Sequence, residues 1–113
     1  MSDCLFCRIV AGEIPADFVL RNDDVVAFRD INPQAPVHVL VIPTAHIANI
    51  QELSAQAPEL ASRLLEGAAQ VAAEAGVGQA YRLVFNTGAE VGQSVFHVHA
   101  HVLGGRDFTW PPG

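Results

Sequence analysis

The sequence has no lysine, only two cysteines and no apolar run long enough to cross a bilayer. Its six arginines against twelve acids give a formal net charge of −6. This balance disfavours a basic surface that would track the phosphates of a long nucleic acid, but one phosphate can be held by N–H groups, hydroxyls and imidazoles. Residues 1–10 lack a basic start followed by a long apolar run, so we expect a cytoplasmic protein with no secretory signal and no membrane contact.

Half of the 113 residues are apolar, which is enough for one modest hydrophobic core. Pro58 fits the first turn of an amphipathic helix, and Gly76 fits its left-handed end. The predicted elements are a helical turn ending at Ile14-Pro15, strands over residues 18–20, 25–28, 37–42, 81–87 and 95–103, and a helix over 57–75.

These elements predict an α+β fold: a five-stranded antiparallel sheet with one main amphipathic helix and a short N-terminal helix. We expect a single domain over residues 1–113, with a C-terminal tail over residues 104–113 that Gly104 and Gly105 release from the last strand.

Three of the five histidines, His97, His99 and His101, alternate with apolar residues, so a strand would place them on one face. One interpretation is a solvated strand face, although such faces usually mix threonine, lysine and glutamate. Another is a metal site. The outer two backbone positions would lie about 13 Å apart, so one ion could take only two neighbouring histidines, as in some zinc hydrolases.

The third interpretation is a phosphate site. An imidazole with a pKa of about 6.5 is mostly neutral and nucleophilic at pH 7, while a neighbouring ring can still donate a proton. The loop over residues 86–94 leads into the histidine strand and would overhang the same face. Gly92 allows close backbone approach there, Ser94 offers a hydroxyl and Asn86 an amide.

Cys4 and Cys7 form a C-x-x-C motif near the start of the chain. A structural disulfide is not expected in a protein that we predict to be intracellular. A thioredoxin-type redox motif should follow a strand, and no strand is predicted before these residues. A metal site and two unligated thiols remain as the alternatives.

Residues 97–103 resemble the histidine triad signature, His-φ-His-φ-His-φ-φ with φ apolar. Residues 30–38, 43–46, 86–94 and 104–113 are similar, in order and spacing, to the Hint branch of the histidine triad (HIT) superfamily. The ending Trp-Pro-Pro-Gly is typical of Hint rather than of the fragile-histidine diadenosine polyphosphate hydrolases. The resemblance covers nearly the whole chain and implies a HIT-like fold.

The resemblance implies that His99 attacks the α-phosphorus of an adenosine or guanosine 5′-phosphoramidate, with aminoacyl-adenylates as further substrates. A nucleotidyl-histidine would form and then be hydrolysed to the nucleoside monophosphate, without a catalytic cofactor. His101 would contact phosphate oxygens, Ser94 would assist near the leaving group, and His38 would support the triad from behind.

The resemblance also implies contacts to the rest of the purine nucleotide. Asp30 would take the ribose hydroxyls. The phosphate would be held by the backbone of Gly92 and Gln93 together with Asn86. Four apolar residues would surround the base, although each would serve equally well in a hydrophobic core: Phe6, Ile9, Phe28 and Ile31.

Some relatives carry a structural zinc, and the residues matching its ligands are Cys4, Cys7, His46 and His97. His97 would then be structural rather than catalytic. The family is typically homodimeric, so the resemblance implies a dimer. Two other functions stay open: a dinucleoside polyphosphate hydrolase with the same nucleophile, and a nucleotide-binding or partner-binding module whose hydrolysis is incidental.

Overall fold

Five strands build the sheet of the computed structural model, which describes residues 3–113. They are β1 (Phe18–Arg21), β2 (Val25–Arg29), β3 (Val37–Pro43), β4 (Tyr81–Val84) and β5 (Ala100–Gly104). All neighbours pair antiparallel, in the order β1-β2-β3-β5-β4. The helices are α1 (Leu5–Val10), α2 (Ile50–Gln56) and α3 (Pro58–Glu74), with a short 3₁₀ turn at Ala89–Val91. The predicted α+β fold is confirmed.

The two faces of the sheet are covered by different helices, as the alternation along each strand requires. On one face α3 packs through residues such as Leu64 and Ala68. Gly67 allows this close approach, because a Cβ there would lie 3.2 Å from a methyl carbon of Val25. On the other face α1 packs Phe6 and Ile9 against β2 and β3. The site described below lies on the α1 face.

The predicted main helix is confirmed, with Pro58 in its first turn and Gly76 at φ +82° beyond its end. A tight turn joins β1 to β2. There the side-chain oxygen of Asn22 accepts hydrogen bonds from the N–H groups of Asp24 and Val25, at 2.9 Å each. Among the described residues, each helix is too short or too polar to span a bilayer.

The predicted fifth strand begins too early. Residues 95–99 do not continue the ladder, since β5 starts at Ala100, opposite Val41. Instead, the N–H of Val98 donates to the carbonyl of Ile47 at 2.7 Å, which ties this segment to the chain that leaves β3. The predicted fourth strand, over 81–87, is likewise shorter and ends at Val84. Gly104 belongs to β5, so the tail starts one residue later than predicted.

Helix α2 was not predicted from the sequence. It buries only Leu53, so it shows too little apolar periodicity to be recognised. Its start did carry a signal, because Asn49 caps the helix by accepting a hydrogen bond from the N–H of Glu52 at 2.9 Å.

No secretory signal was expected over residues 1–10. The first two residues of that segment, Met1 and Ser2, lie outside the described residues.

Candidate active site

The three alternating histidines keep one side of the sheet even though only His101 lies in β5. Val98, Ala100 and Val102 point into the core beneath α3, whereas the rings of His97 and His99 both contact Phe6 of α1. The period of two therefore holds through a segment that is not a regular strand. Among the described residues, no group with metal-binding geometry contains all three histidines, as their spacing predicted.

His99 has a defined protonation pattern. Its Nδ1 lies 2.8 Å from the carbonyl oxygen of His97. A carbonyl only accepts hydrogen bonds, so Nδ1 carries the hydrogen and Nε2 of the neutral ring keeps its lone pair. Burial lowers the pKa of His99, and the opposing effects of this hydrogen bond and of Asp30 are smaller. A neutral ring with a bare Nε2 is a nucleophile at pH 7.

A hydrogen-bond chain fixes the proton positions in the two neighbouring rings. The backbone N–H of Gln34 donates to Nδ1 of His38 at 3.0 Å, so the hydrogen of His38 must lie on Nε2. Nε2 of His38 lies 2.9 Å from Nδ1 of His101, which therefore accepts. The hydrogen of His101 is then on Nε2. His101 thus offers a donor beside His99, whose ring centroid is 5.0 Å away.

The donor ring is neutral at physiological pH. Burial, followed by the neighbouring rings of His99 and His38, lowers the pKa of His101 to about 4. Burial also lowers the pKa of His38, against the opposing charge of Asp30. The site therefore presents a lone pair on one ring and an N–H on the next without carrying a charged imidazole.

Asp30 closes this side of the site. One carboxylate oxygen accepts the N–H of Asn32 at 2.8 Å, and the other lies 3.5 Å from Nε2 of His38. Ile31, next to it, is fully exposed. The other three residues predicted to contact a base are buried in the core between α1 and the sheet: Phe6, Ile9 and Phe28. Phe6 meets the ring of His99 edge-on at 5.0 Å, so it forms the wall behind that ring.

The loop that leads to the histidines is held by the side chain of Gln93. Its amide nitrogen donates to the carbonyls of Ala48 at 2.7 Å and Val95 at 3.2 Å, and its oxygen accepts the N–H of Gly88 at 2.9 Å. The N–H of Gln93 itself donates to the carbonyl of Gly88 at 3.1 Å. The family resemblance implied that the backbone of Gln93 holds the phosphate, whereas in this structure its N–H closes the loop.

The remaining predicted loop residues stand near the surface. Gly92 has φ +102°, a conformation that favours glycine, and a Cβ there would lie 3.7 Å from the amide nitrogen of Asn86. Ser94 is exposed. The hydroxyl and N–H of Ser94 form no hydrogen bond within residues 3–113, so both remain available to a ligand.

A second cluster brings together the predicted zinc ligands. Sγ of Cys7 lies 3.2 Å from Nδ1 of His46, and both cysteine sulfurs lie 3.5 Å from Nδ1 of His97. All four ligand atoms lie within 4.8 Å of one another. Nε2 of His97 donates to the carbonyl of Pro43 at 2.8 Å, which leaves Nδ1 bare toward the sulfurs. Two thiolates and two imidazoles suit tetrahedral zinc, so these residues fit the metal.

Two contributors were not identified from the sequence. Gln34 acts through its backbone N–H, a group that every residue except proline has, so its side chain gives no sign of this role. Arg106 binds the carbonyl of Gln34 through Nε at 3.0 Å and stacks on Phe108 at 4.0 Å. Both residues lie in segments that resemble the Hint branch, 30–38 and 104–113, but the resemblance gave neither of them a role.

Comparison with known proteins identifies the family. The HIT domain family matches residues 11–108. The chain is 54% identical to an uncharacterized HIT-like protein of Synechocystis, over 98% of this chain and 97% of that one. It is 43% identical to the purine nucleoside phosphoramidase of Escherichia coli, over 92% of this chain and 88% of that one. A HIT family hydrolase from Legionella pneumophila superposes with a TM-score of 0.94 at 49% identity, covering 98% and 100% of the two chains. The predicted resemblance is confirmed: this chain belongs to the HIT family.

Proposed function

We propose that this protein hydrolyses the P–N bond of purine nucleoside 5′-phosphoramidates, with His99 as the nucleophile. The observation that carries the proposal is the pair of opposite protonation patterns: a bare Nε2 on His99 beside an Nε2–H on His101. One ring can attack phosphorus while the next binds the phosphate oxygens. The relative named a purine nucleoside phosphoramidase supports the choice of substrate class.

In the first step, Nε2 of His99 forms a bond to the α-phosphorus as the P–N bond breaks. The leaving nitrogen takes a proton from solvent water and departs as an amine, and the proton released in the second step restores the balance. Ser94, whose exposed hydroxyl lies at the end of the loop, is the proposed assistant to the leaving group. The N–H of His101 stabilises the phosphate oxygens as charge builds on them.

In the second step, a water molecule attacks the same phosphorus and the Nε2–P bond of the nucleotidyl-histidine breaks. The water's oxygen stays on the nucleoside monophosphate, one of its protons is released, and His99 regains its lone pair. Nδ1 remains bound to the carbonyl of His97 throughout. This bond stabilises the positive charge that the ring carries while Nε2 is bound to phosphorus.

We propose that the nucleotide lies across the Asp30 side of the site. The Asp30 carboxylate would accept the ribose hydroxyls, and the exposed Ile31 would cover the base. Phe6, Ile9 and Phe28 would act mainly as the packed support beneath, because their side chains are buried. Asn86, Gly92 and the N–H of Ser94 would approach the phosphate. Gln93 would hold these groups in place rather than donate to phosphate itself.

The test is hydrolysis of adenosine 5′-phosphoramidate by the purified protein and by His99→Asn, with and without a chelator. We expect chelator-resistant turnover that falls more than about 1,000-fold in the variant. Phe96→Ala, which changes an exposed side chain of the same segment, is the matched control and should keep its activity. Equal activity in both proteins would remove His99 from the mechanism.

Two arms of the same experiment separate the other functions. A dinucleoside polyphosphate assayed side by side distinguishes the two leaving groups, and faster turnover of that substrate would overturn the phosphoramidate assignment. Nucleotide binding without turnover in the wild type would favour a binding module. Comparing the adenosine and guanosine phosphoramidates then gives the preferred purine.

We further propose a structural zinc at Cys4, Cys7, His46 and His97. When bound, the metal would cross-link α1 to the segment that follows β3 and to the histidine segment. The wall behind His99 would then be anchored without the metal taking part in the reaction. The homodimer stays a prediction that the family resemblance supports, and the single-domain organisation and the cytoplasmic location stay predictions from length and composition.

A further inference from the structure

The C-terminal tail reaches back to the loop that controls the donor ring. Arg106 lies beyond β5, and its Nε donates to the carbonyl oxygen of Gln34 at 3.0 Å. The side-chain amide of Gln34 donates to the carbonyl of Asn32, also at 3.0 Å. The N–H of Gln34 points at Nδ1 of His38. One residue of the loop is therefore fixed by its carbonyl and its side chain while its N–H is presented to a buried imidazole.

That N–H sets the direction of the hydrogen bond between His38 and His101, and the Asp30 carboxylate oxygen 3.5 Å from Nε2 of His38 favours the same direction. If Gln34 withdrew, His38 could carry its hydrogen on Nδ1 and accept at Nε2. Nδ1 of His101 would then have to donate to Nε2 of His38, because the two nitrogens lie 2.9 Å apart. His101 would be left with a bare Nε2. A lone pair in that position repels phosphate oxygens, whereas the present N–H binds them.

We propose that Arg106 is a positioning residue, which, through Gln34, holds the His38–His101 pair in the direction that makes His101 a donor. The side chain of Arg106 is itself held by two neighbouring residues of the C-terminal tail. Its guanidinium carbon lies 4.0 Å from the ring centre of Phe108, and one of its NH groups donates to the carbonyl of Asp107 at 3.0 Å. The tail thereby contributes to the site without contacting the triad.

Arg82 provides a matched control. Its guanidinium lies 4.9 Å from the same Phe108 ring and donates to the carbonyl of Thr109 at 3.2 Å. Replacing either arginine removes one positive charge, one contact to the Phe108 ring and one hydrogen bond to a carbonyl of the tail. Only Arg106 contacts Gln34. A difference between Arg106→Ala and Arg82→Ala therefore reports on Gln34 rather than on general loosening of the tail.

The direct measurement is the protonation pattern of the imidazole nitrogens, read by long-range ¹H–¹⁵N correlation spectra of the labelled protein. In the wild type and in Arg82→Ala, we expect hydrogen on Nε2 of His38 and His101 and on Nδ1 of His99. In Arg106→Ala, the signals of His38 and His101 should shift toward the reversed pattern, while His99 keeps its own. An unchanged pattern in Arg106→Ala would overturn the proposal.

The kinetic measurement rests on the proposed function. For adenosine 5′-phosphoramidate, Arg106→Ala should lower kcat about tenfold, as expected for the loss of one charge-assisted hydrogen bond, with a smaller change in KM. Arg82→Ala should stay within about twofold. If the wild type lacks this activity, the proposed function fails, whereas the spectra still decide the role of Arg106.

Three more variants keep the proposal testable even if Arg106→Ala folds poorly. Gln34→Pro removes the N–H itself and should reverse the ring pattern even with Arg106 in place, whereas Gln34→Ala keeps that N–H and should preserve the wild-type pattern. If Arg106→Ala does not fold, Arg106→Met, which keeps much of the side-chain length but has no N–H donor, takes its place. A wild-type pattern in Gln34→Pro or in Arg106→Met would contradict the mechanism.

Discussion

Two histidine clusters lie side by side on the α1 face, and both have the spacing of a metal site. Cys4, Cys7, His46 and His97 form one, and Asp30, His38 and His101 form the other. In each, the ligand atoms lie within 4.8 Å of one another. The two clusters differ in the backbone group that binds the outward-facing nitrogen of one histidine in each, His97 in the first and His38 in the second. His97 donates to a carbonyl and turns a lone pair to the cluster, whereas His38 accepts from an N–H and turns a hydrogen to it.

This difference predicts which cluster takes a metal. A ligating histidine normally donates its other N–H to an acceptor, as His97 does with Pro43. For Nε2 of His38 to ligate, Nδ1 would need a hydrogen that faces the N–H of Gln34. Distance alone therefore does not distinguish a metal site from a proton-ordered pair, meaning two rings, here His38 and His101, whose hydrogen positions are fixed by hydrogen bonds. The two are distinguished by the backbone group behind each ring, which is a carbonyl for His97 and an N–H for His38.

The largest expected effect concerns zinc. The purified protein should bind one zinc per chain, and Cys7→Ser should weaken that affinity by more than about 100-fold, because a thiolate ligand is lost. Asp30→Asn, which changes the other cluster, should keep both affinity and stoichiometry. Metal analysis after dialysis, with a competing chelator titration, measures this. Two zinc ions per chain would break the comparison.

The next effect concerns the proton-ordered pair. His38→Ala removes the donor to Nδ1 of His101. We expect kcat for adenosine 5′-phosphoramidate to fall by about 10- to 100-fold, because no donor then keeps the hydrogen of His101 on Nε2. Zinc content should not change, and its measurement on the same sample is the control. Loss of zinc together with activity would mean that the two clusters are not independent.

A smaller effect concerns the pH dependence of stability. The pKa of His101 is about 4 when folded, against an ordinary value of about 6.5, so between these values the unfolded chain binds more protons. The free energy of unfolding should therefore fall as pH falls from about 6.5 to about 4, and this group adds no slope above that window. Partial solvent exposure reduces the size of the effect but not its sign.

The groups facing His101 are His99, His38 and Asp30, and the two histidines act in the same direction because burial lowers their pKa values too. Urea denaturation of zinc-free protein between pH 7 and pH 5 measures the slope. His101→Asn, which lacks the titrating ring, should show a shallower dependence. The same slope in both proteins would assign the effect to other groups.

The smallest effect concerns Phe6, whose ring centroid lies 5.9 Å from that of His97, in the first cluster, and 5.0 Å from that of the proposed nucleophile His99. Phe6→Leu should lower the free energy of unfolding by about 1 kcal/mol and reduce turnover only slightly. Leu5→Ala, an exposed change on the same helix, is the control and should have a smaller effect. Denaturant titration, zinc analysis and parallel assays of turnover measure whether Phe6 supports His97 or His99 more strongly.

Much of this comparison could be predicted from the sequence, because side-chain identity and period carry it. The alternation of His97, His99 and His101 gave the correct face. The four zinc-ligand positions came instead from the family resemblance, and the structure brings them together. The start of β5 was predicted too early because the alternating pattern continues through residues whose backbone bonds elsewhere, as at Val98 and Ile47. Periodicity reports side-chain direction and not the partner of the backbone.

The parts that could not be predicted depend on backbone groups or on contacts between distant residues. One hydrogen bond joins Gln34 to His38 and another joins Arg106 to Gln34. Both use backbone groups of Gln34, so the residue types at these positions do not indicate the contacts. Gln93 was assigned to phosphate through its backbone, and its side chain, buried and fully hydrogen-bonded, was overlooked. Helix α2 was missed because a helix that buries only Leu53 leaves no repeat in the sequence.

The bonds made by Gln93 also have a thermodynamic consequence. Its amide and backbone join Gly88, Ala48 and Val95 before any ligand arrives, so the loop is already ordered. A phosphate bound at this loop, as proposed above, would not have to restrict a flexible segment, and little conformational entropy would be lost on association. We therefore expect affinity to depend mainly on the contacts formed, and a looser loop to weaken binding even if every contacting atom were kept.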